Sequence, residues 1–266
     1  MHSTKRLGLL HLKKMRSTLI KEILRKAAKI TFPVAFWLLI WQIVALIINR
    51  PFLVPTVPET FVALIDILTR KSFLKVVFLS LARIVAGIFL GTIAGIILSF
   101  LSYKFAAVNL LLTPFISVIK STPVATFIVI LWIMLSANAL TIVVAFLMVM
   151  PIIWQNLMDG YKSIDKDLSE VCDVFEFPFL KRLRVLVFPA LMKYLIPGII
   201  TSTGLAWKAE IAAEIIAYTK NSIGQEINDA KYFYETPTVF AWTFVIIIMS
   251  ISLEKLMKYL LGRFKI

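Results

Sequence analysis

Residues 76–100 read VVFLSLARIVAGIFLGTIAGIILSF and contain a single charged side chain, that of Arg83. An apolar run of about 18 or more residues, at 1.5 Å per residue of helix, is long enough to cross the ~30 Å hydrocarbon layer of a membrane. Because that layer offers the backbone no hydrogen bonds, a single isolated run of this kind must be helical. The stretch therefore predicts a transmembrane helix and an all-α fold.

The same pattern recurs along the chain and predicts a polytopic protein with six spans. The third span contains Lys120-Ser-Thr-Pro123, and proline removes a backbone donor, so we expect one broken or kinked helix there and not two. Between spans one and two, Pro55–Leu68 predicts an extended lead-in followed by a short helix that starts near Pro58. The six predicted spans are Ile30–Ile48, Val76–Phe100, Asn109–Leu135, Leu140–Leu157, Pro197–Tyr218 and Thr238–Leu256.

The composition agrees with a membrane protein. The chain is 60% hydrophobic and 17% charged, whereas a soluble domain carries about 25% charged residues. A net charge of +14 would suggest nucleic-acid binding in a soluble protein. Here the basic residues lie beside apolar runs, which favours contact with membrane lipid and no nucleic-acid partner. A single cysteine, Cys172, excludes an intrachain disulfide.

The distribution of lysine and arginine predicts the orientation. With the N-terminus inside, twenty basic residues fall in the cytoplasmic segments and six in the external loops. The positive-inside rule therefore predicts that both termini are cytoplasmic. The apolar run Phe32–Ile48 has no small-residue cleavage pair after it, so we expect a retained first span rather than a signal peptide.

Residues 1–29 form a basic segment that precedes the predicted six-span domain, residues 30–266. Its apolar residues recur every three or four positions between lysines and arginines, which is the pattern of an amphipathic helix. Two interpretations are compatible: a basic tail attracted to anionic lipid, and an interfacial helix leading into the first span. The apolar positions are Leu9, Leu12, Met15, Leu19 and Ile23.

A polar loop of mixed charge, residues 158–192, separates the fourth and fifth spans. Within it, Ser163 offers an N-cap before a short helical stretch that continues to Glu170. Phe175, Phe177 and Phe179 follow, and such side chains are costly to leave in water. An apolar cluster on a cytoplasmic loop predicts docking into another protein surface.

The spacing within this loop resembles the "EAA" loop of ABC importer permeases. Glu170 stands at the glutamate position, and Leu186 and Pro189 stand at the apolar and proline positions that close the motif. Val171 and Cys172 replace the two alanines, and Glu176 replaces the usual glycine. By this resemblance, the loop would form a coupling helix seated in a groove of an ATPase subunit.

Other stretches are similar to the branch of that family that serves sulfonates, taurine, nitrate and thiamine precursors. The resemblance covers roughly residues 35–260 and includes Ser222-Ile-Gly224, which is similar to an external Gly-Leu-Gly turn. The remaining stretches are Ser80-Leu-Ala-Arg83-Ile-Val-Ala-Gly87, Lys120-Ser-Thr-Pro123-Val-Ala, Pro151-Ile-Ile-Trp-Gln-Asn and Gly204-Leu-Ala-Trp207-Lys-Ala-Glu-Ile-Ala-Ala-Glu214.

The resemblance implies a type I ABC importer permease in a bacterial inner membrane. Two permease copies would form a gated path, two cytoplasmic ATP-binding subunits would drive it, and an extracytoplasmic solute-binding protein would feed it. An ion-coupled secondary transporter is the alternative, and it leaves the Glu170–Pro189 spacing unexplained.

Several groups inside the predicted spans are candidates for the translocation path, because ionisable residues in membranes are commonly functional. Trp207, Glu210 and Glu214 share one helical stripe by their three- and four-residue spacings. Arg83 lies seven residues into its span, close enough to its outer end for the side chain to snorkel outward. The path candidates are Lys120, Pro123, Trp207, Lys208, Glu210 and Glu214.

Two further patterns bear on packing and chemistry. Gly87, Gly91 and Gly95 repeat every four residues, which predicts close packing against another helix, within the chain in preference to a subunit interface. The only histidines are His2 and His11, and the chain has no phosphate-binding loop, metal-ligand cluster or nucleophile motif. We therefore expect no enzymatic activity, cofactor or metal, with ATP hydrolysis in a partner subunit.

Overall fold

The computed structural model describes Lys29 and residues 31–262, and these residues contain helices and no strand. The predicted amphipathic segment 1–29 lies outside the described residues apart from Lys29. Shorter helices are α2 Val57–Thr69, α4 Ala106–Ser121, α5 Val124–Met134, α7 Lys166–Val174, α8 Phe179–Arg182 and α10 Ile223–Tyr232. The helices long and apolar enough to cross a membrane are α1 Thr31–Ile48, α3 Phe73–Lys104, α6 Ala137–Lys162, α9 Phe188–Ala217 and α11 Thr236–Gly262.

The observed membrane helices overlap all the predicted spans to within a residue or two at their ends, and several extend beyond them. For example, α3 begins before Lys75 and ends at Lys104, whereas hydropathy alone placed its ends at Val76 and Phe100. A helix continues through such lysines because their long stems carry the charge out to water. The short helix predicted near Pro58 is confirmed as α2, where Thr56 and Glu59 cap each other's backbone amides.

The third span is more sharply interrupted than expected. It consists of two helices, α4 and α5, inclined at 104°, so the expected break is present and is sharper than a kink. The break falls at Thr122, whose extended backbone (ψ 130°) is the conformation that a following proline enforces. Pro123 itself has no N–H with which to continue α4.

The pair α4–α5 nevertheless connects the two ends of the helix bundle. Gly87, Gly91 and Gly95 of α3 face Ala145, Val149 and Ile153 of α6 in that order, so α3 and α6 run parallel. The chain must therefore return from the end of α3 to the start of α6, and α4–α5 makes that crossing. The described helices thus give six crossings, as the sequence predicted.

The glycine strip of α3 packs within the chain, which confirms the prediction. A Cβ atom built on Gly87 would lie 2.4 Å from Ala145 Cβ, and one on Gly91 would lie 2.8 Å from Val149 Cβ. Because the three glycines of α3 carry no side chains, the α6 backbone approaches closely along this strip. Helix–helix contacts then replace contacts with lipid.

The helix directions define two ends of the bundle. One end, which we call the α7 end, holds α7, α8, Lys29 and Gly262. The opposite end, the α10 end, holds α2 and α10. Trp41 of α1 stacks on Phe240 and Phe244 of α11, and its indole N–H donates to Pro55 O, which fixes α1 along the outside of the bundle.

Candidate functional site: a coupling segment and a buried ion pair at opposite ends

The segment 163–187, between α6 and α9, is folded, and we call it the coupling segment. Helix α7 starts at an N-cap that the sequence did not single out: Asp165, not Ser163, accepts a hydrogen bond from the Asp167 amide (2.9 Å). Its C-terminus closes with two bonds, from Phe177 N to Cys172 O (2.9 Å) and from Glu176 N to Asp173 O (3.1 Å). This is the arrangement of a Schellman cap.

Glu176 is the left-handed residue of that cap, with φ 48°. Its Cβ makes this conformation unfavourable by about 1–2 kcal/mol, and glycine adopts it freely. The position is the one where the resembling loops have glycine, so the backbone geometry of the turn is retained although the residue differs.

We therefore expect Glu176→Gly to stabilise the coupling segment by about 1 kcal/mol. Amide hydrogen exchange across α7 should slow in this variant. Glu176→Ala is the matched control, because it removes the carboxylate and keeps the Cβ. Equal protection of α7 in the two variants would show that the left-handed turn carries no strain.

Arg182 of α8 holds the coupling segment together. Its guanidinium donates to Asp173 Oδ1 and to Ser169 Oγ, each at 2.5 Å, and so ties α8 to α7. Lys181 Nζ lies 3.9 Å from the centre of the Phe177 ring. These contacts give the segment one conformation and leave its apolar side chains outside.

A π-helical turn, Leu183–Val187, joins α8 to α9. Phe188 N donates to Leu183 O, five residues back, just before Pro189 enters the second position of α9. Proline has no amide hydrogen and its ring clashes with the carbonyl four residues earlier, so a widened turn before it accommodates the ring without ending the helix. The coupling segment thus passes into α9 without a break.

The coupling segment presents an apolar face. Glu170, Val171 and Glu176 are exposed, whereas Cys172 and Leu186 are buried beneath them. The burial of Cys172 makes its thiol a poor chemical probe of this face. The exposed large apolar side chains of α7, its C-cap and α8, which we call the coupling face, are Leu168, Val171, Val174, Phe175, Phe179 and Leu180.

Glu214 is fully buried at the α10 end, in a polar cluster that we call the Glu214 cluster. Ser80 Oγ lies 2.7 and 2.9 Å from its two carboxylate oxygens, Arg83 Nη1 donates to Oε1 at 3.0 Å, and Gly224 N donates to Oε2 at 3.1 Å. Ser80 Oγ in turn accepts from Ile223 N (3.1 Å). The carboxylate therefore joins α3, α9 and α10.

Arg83 extends toward the α10 end and pairs there with Glu214. Its side chain is 10% exposed, and its second nitrogen donates to Lys220 O (3.0 Å). A buried carboxylate with an arginine and two further donors is compensated, which removes the cost of two isolated charges in the membrane. Sequence reasoning found both residues and missed the pairing, because 131 residues separate them.

Gly224 brings α10 against α9. A Cβ atom here would lie 2.3 Å from Glu214 Cβ and 2.5 Å from Ile215 N. Ser222, the N-cap of α10, accepts from Gln225 N (2.9 Å) and donates to Thr219 O (2.6 Å). The Ser222-Ile-Gly224 stretch is thus the turn that places the Ile223 amide on Ser80 Oγ and the Gly224 amide on the Glu214 carboxylate.

The predicted stripe on α9 is present, and it faces the interior of this chain. Trp207, Glu210 and Glu214 are all buried, whereas Lys208 is exposed. Neither carboxylate oxygen of Glu210 meets a hydrogen-bond donor among the described residues, although the Glu214 carboxyl group lies within interaction range one turn away.

The remaining path candidates lie at the α4–α5 break. Lys120, in the last turn of α4, lines a cavity of about 300 Å³ between α4 and α6, and Pro123 is exposed at the break. Lys162, at the end of α6, lines the same cavity. The sequence could not pair these two lysines, because the spacing between α4 and α6 depends on the angle of the break.

A second, larger cleft of about 1280 Å³ opens at the α10 end, lined in part by Phe52, Tyr218 and Tyr232. The hydrogen bond from the Tyr218 hydroxyl to Asp229 raises the pKa of that phenol. Burial raises the pKa of Glu226, and the guanidinium of Arg70, 3.6 Å away, opposes the effect. Exposed aromatic side chains of this kind are typical of a membrane–water interface.

Residues 84–266 match the family described as "Binding-protein-dependent transport system inner membrane component". The chain belongs to this family. The match contains the coupling segment, α9 and the Glu214 cluster apart from Ser80 and Arg83. Membership of this family makes the chain a multi-pass membrane permease. Within the described residues, no group of three or more histidine, cysteine, aspartate or glutamate side chains could hold a metal ion.

Relatives of this permease are named as subunits of several transport systems. It is 27% identical over 165 residues to the putative aliphatic sulfonates transport permease protein SsuC of Bacillus subtilis, covering 61% of this chain and 59% of that protein. It is 24% identical to a putative ABC transporter permease of Methanocaldococcus jannaschii, covering 87% and 88%. It is 29% identical to the bicarbonate transport permease CmpB of Synechococcus elongatus, covering 57% and 55%.

A solved structure, that of an amino acid ABC transporter with histidines, shares the fold of this permease. Its TM-score is 0.60 at 13% sequence identity, over 72% of this chain and 93% of that one. At this identity the likeness shows the arrangement of helices alone.

Proposed function

We propose that this permease forms the membrane pathway of an ATP-driven importer and that its coupling segment docks on a cytoplasmic ATP-binding subunit. The observation that carries the proposal is the coupling face. Six large apolar side chains lie exposed on two helices that Arg182 and a Schellman cap hold in place. A soluble surface seldom exposes such a cluster unless a partner covers it.

Helix α9 supplies the mechanical part of the proposal. It is 30 residues long, or about 45 Å, and it continues through Pro197 as one helix from the coupling segment to Glu214. A displacement of the coupling segment by a partner is therefore transmitted to the α10 end along one helix. In an importer, that helix would link ATP binding on one side of the membrane to opening on the other.

The same proposal sets the orientation and the other partners. The α7 end would face the cytoplasm, which agrees with the positive-inside prediction and places both termini there. A second permease copy would complete the path, two ATP-binding subunits would cover two coupling faces, and a solute-binding protein would deliver a small solute to the α10 end. A bacterial inner membrane is the proposed location.

An ion-coupled secondary transporter finds less support. Of the carboxylates inside the spans, Glu214 is held by Ser80, Arg83 and Gly224, and Glu210 is sealed in the core. Neither is open to a passing ion in this conformation, and such a transporter has no use for an apolar coupling face.

Site-directed crosslinking tests the docking. In a Cys172→Ala background, Val174→Cys on the coupling face should form a crosslink with a co-expressed ATP-binding subunit in native membranes. Tyr232→Cys, equally exposed at the α10 end, is the control. It should react with a membrane-impermeant thiol reagent added from outside and should form no crosslink with the ATP-binding subunit. External labelling of Val174→Cys would contradict both the docking and the orientation.

A further inference from the structure

The cavity between α4 and α6 has a polar rim. Asn109, Thr113, Ser117 and Lys120 recur at four-, four- and three-residue spacings, so they form one stripe along α4 that faces the cavity. Gln155 and Lys162 of α6 lie opposite. A polar stripe on a membrane helix is unusual, because polar groups in hydrocarbon need partners.

The charges of this cavity are unbalanced. Two lysines line it, and no carboxylate does. Among the residues that the structure describes, Lys120 has no acidic group within 4 Å, and Lys162 has only the exposed Asp159 at 4.0 Å. Both lysines are exposed at the cavity, Lys162 with 73% of its side chain accessible. Asp159 offsets Lys162 only at the limit of ion-pair distance, and no ion pair is formed by Lys120 among the described residues, so the positive charge of the cavity is only partly balanced.

The neutral polar groups do not supply the missing charge. Thr113 Oγ1 and Ser117 Oγ donate to the backbone carbonyls of Asn109 and Thr113, at 2.7 and 2.9 Å. The Asn109 amide nitrogen has no acceptor among the described residues, so it adds a third N–H group to those of the two lysines. The three donors match the several oxygens of a phosphate, sulfonate or carboxylate group.

The other side of the cavity is apolar. Ile116 of α4 and Met158 of α6 line it, together with the Trp154 ring, whose N–H is already bonded to Ser102 Oγ (3.0 Å). Such a wall offers contact to a short hydrocarbon group and no hydrogen bond. A volume of about 300 Å³ is at the lower end of the range for small-molecule sites.

We propose that the α4–α6 cavity binds a small organic oxyanion, with its charged head on Lys120 and Lys162 and its short apolar part against Ile116, Trp154 and Met158. The inference rests on the proposed function in one respect: it assigns the anion as the transported solute on the cytoplasmic side of the path. An anionic phospholipid head group carries the same kind of charged oxygens, and the experiment below distinguishes it from the solute.

Ligand-dependent thermal unfolding of the purified full-length permease tests the proposal. In nanodiscs of phosphatidylcholine alone, ethanesulfonate should raise the midpoint of unfolding. Lys120→Met should weaken the apparent affinity at least tenfold, and Lys120→Arg should restore it because it keeps the charge. Lys75→Met, which removes an exposed lysine from the start of α3, is the charge-matched control and should bind as the unmodified chain does.

The outcomes separate the two sources of the anion. A Lys120-dependent rise on adding phosphatidylglycerol to the discs, with no response to ethanesulfonate, would overturn the solute and assign the cavity to lipid. No response to either anion, or an equal response in Lys120→Met, would overturn the oxyanion site. Because these measurements need no ATP-binding subunit, their failure leaves the crosslinking result of the proposed function standing, and the reverse also holds.

Discussion

Arg83→Met is expected to lower the free energy of unfolding by about 3–5 kcal/mol, which is the usual cost of leaving a buried charge without its partner. Glu214 would keep the Ser80 and Gly224 donors and lose its only ion pair. Lys220 O would lose its donor as well. The expected result is a large fall in the midpoint of thermal or detergent unfolding of the purified permease.

A double-mutant cycle shows whether the loss comes from the pair. The Arg83→Met/Glu214→Gln variant has no net buried charge at this site, so it should be more stable than Arg83→Met alone. Glu210→Gln is the comparison one turn away: the Glu210 carboxylate is buried without a donor, so the substitution breaks no hydrogen bond and should not lower the free energy of unfolding. If the double variant is no more stable than Arg83→Met, then the stabilising effect of Arg83 does not come from its ion pair with Glu214.

Gly224→Ala should have the second large effect. The added Cβ would lie 2.3–2.5 Å from Glu214 Cβ, Glu214 C and Ile215 N, two of which belong to the backbone of α9 and cannot rotate away. Helix α10 would have to move, and its amide would leave the Glu214 carboxylate. Overpacking of this kind costs about 1–3 kcal/mol, and the lost hydrogen bond to a charged group adds to it.

Gly204→Ala provides the opposite case in the same chain. Gly204 lies inside α9 with nothing within 4 Å of its added Cβ, so alanine should stabilise the helix by up to about 1 kcal/mol. The stability of the two variants is compared by unfolding of the purified permease, and their transport activity is compared by solute uptake in cells. A Gly224→Ala protein as stable as the unmodified chain would mean that α10 is not held against α9.

The Glu214 cluster and the coupling segment lie at opposite ends of the same helix. Substitutions at Arg83 or Gly224 release α10 from the far end of α9, while the coupling face stays intact. They are therefore expected to reduce transport by an assembled complex without abolishing docking of the ATP-binding subunit. This separation distinguishes a defect of transmission from a defect of assembly.

The sequence alone determined the class of fold, because the bilayer reduces the problem to the length and polarity of each segment. Residues 76–100 fall inside α3, the predicted span Pro197–Tyr218 lies in α9 except for its last residue, and the glycine strip of α3 packs within the chain as predicted. The spacing from Glu170 to Pro189 indicated the family, since a motif of fixed length survives replacement of its small residues. The turn at Glu176 shows why: the backbone conformation is kept by hydrogen bonds from Phe177 and Glu176 rather than by glycine.

Only the tertiary structure decided which polar groups meet. Arg83 and Glu214, or Lys120 and Lys162, lie on different helices, and periodicity reports one helix at a time. The 104° break at Pro123 was similarly beyond the sequence, because proline ends a hydrogen-bonding pattern without setting the angle that follows. Packing against α6 and α9 sets that angle, and with it the cavity that two lysines share.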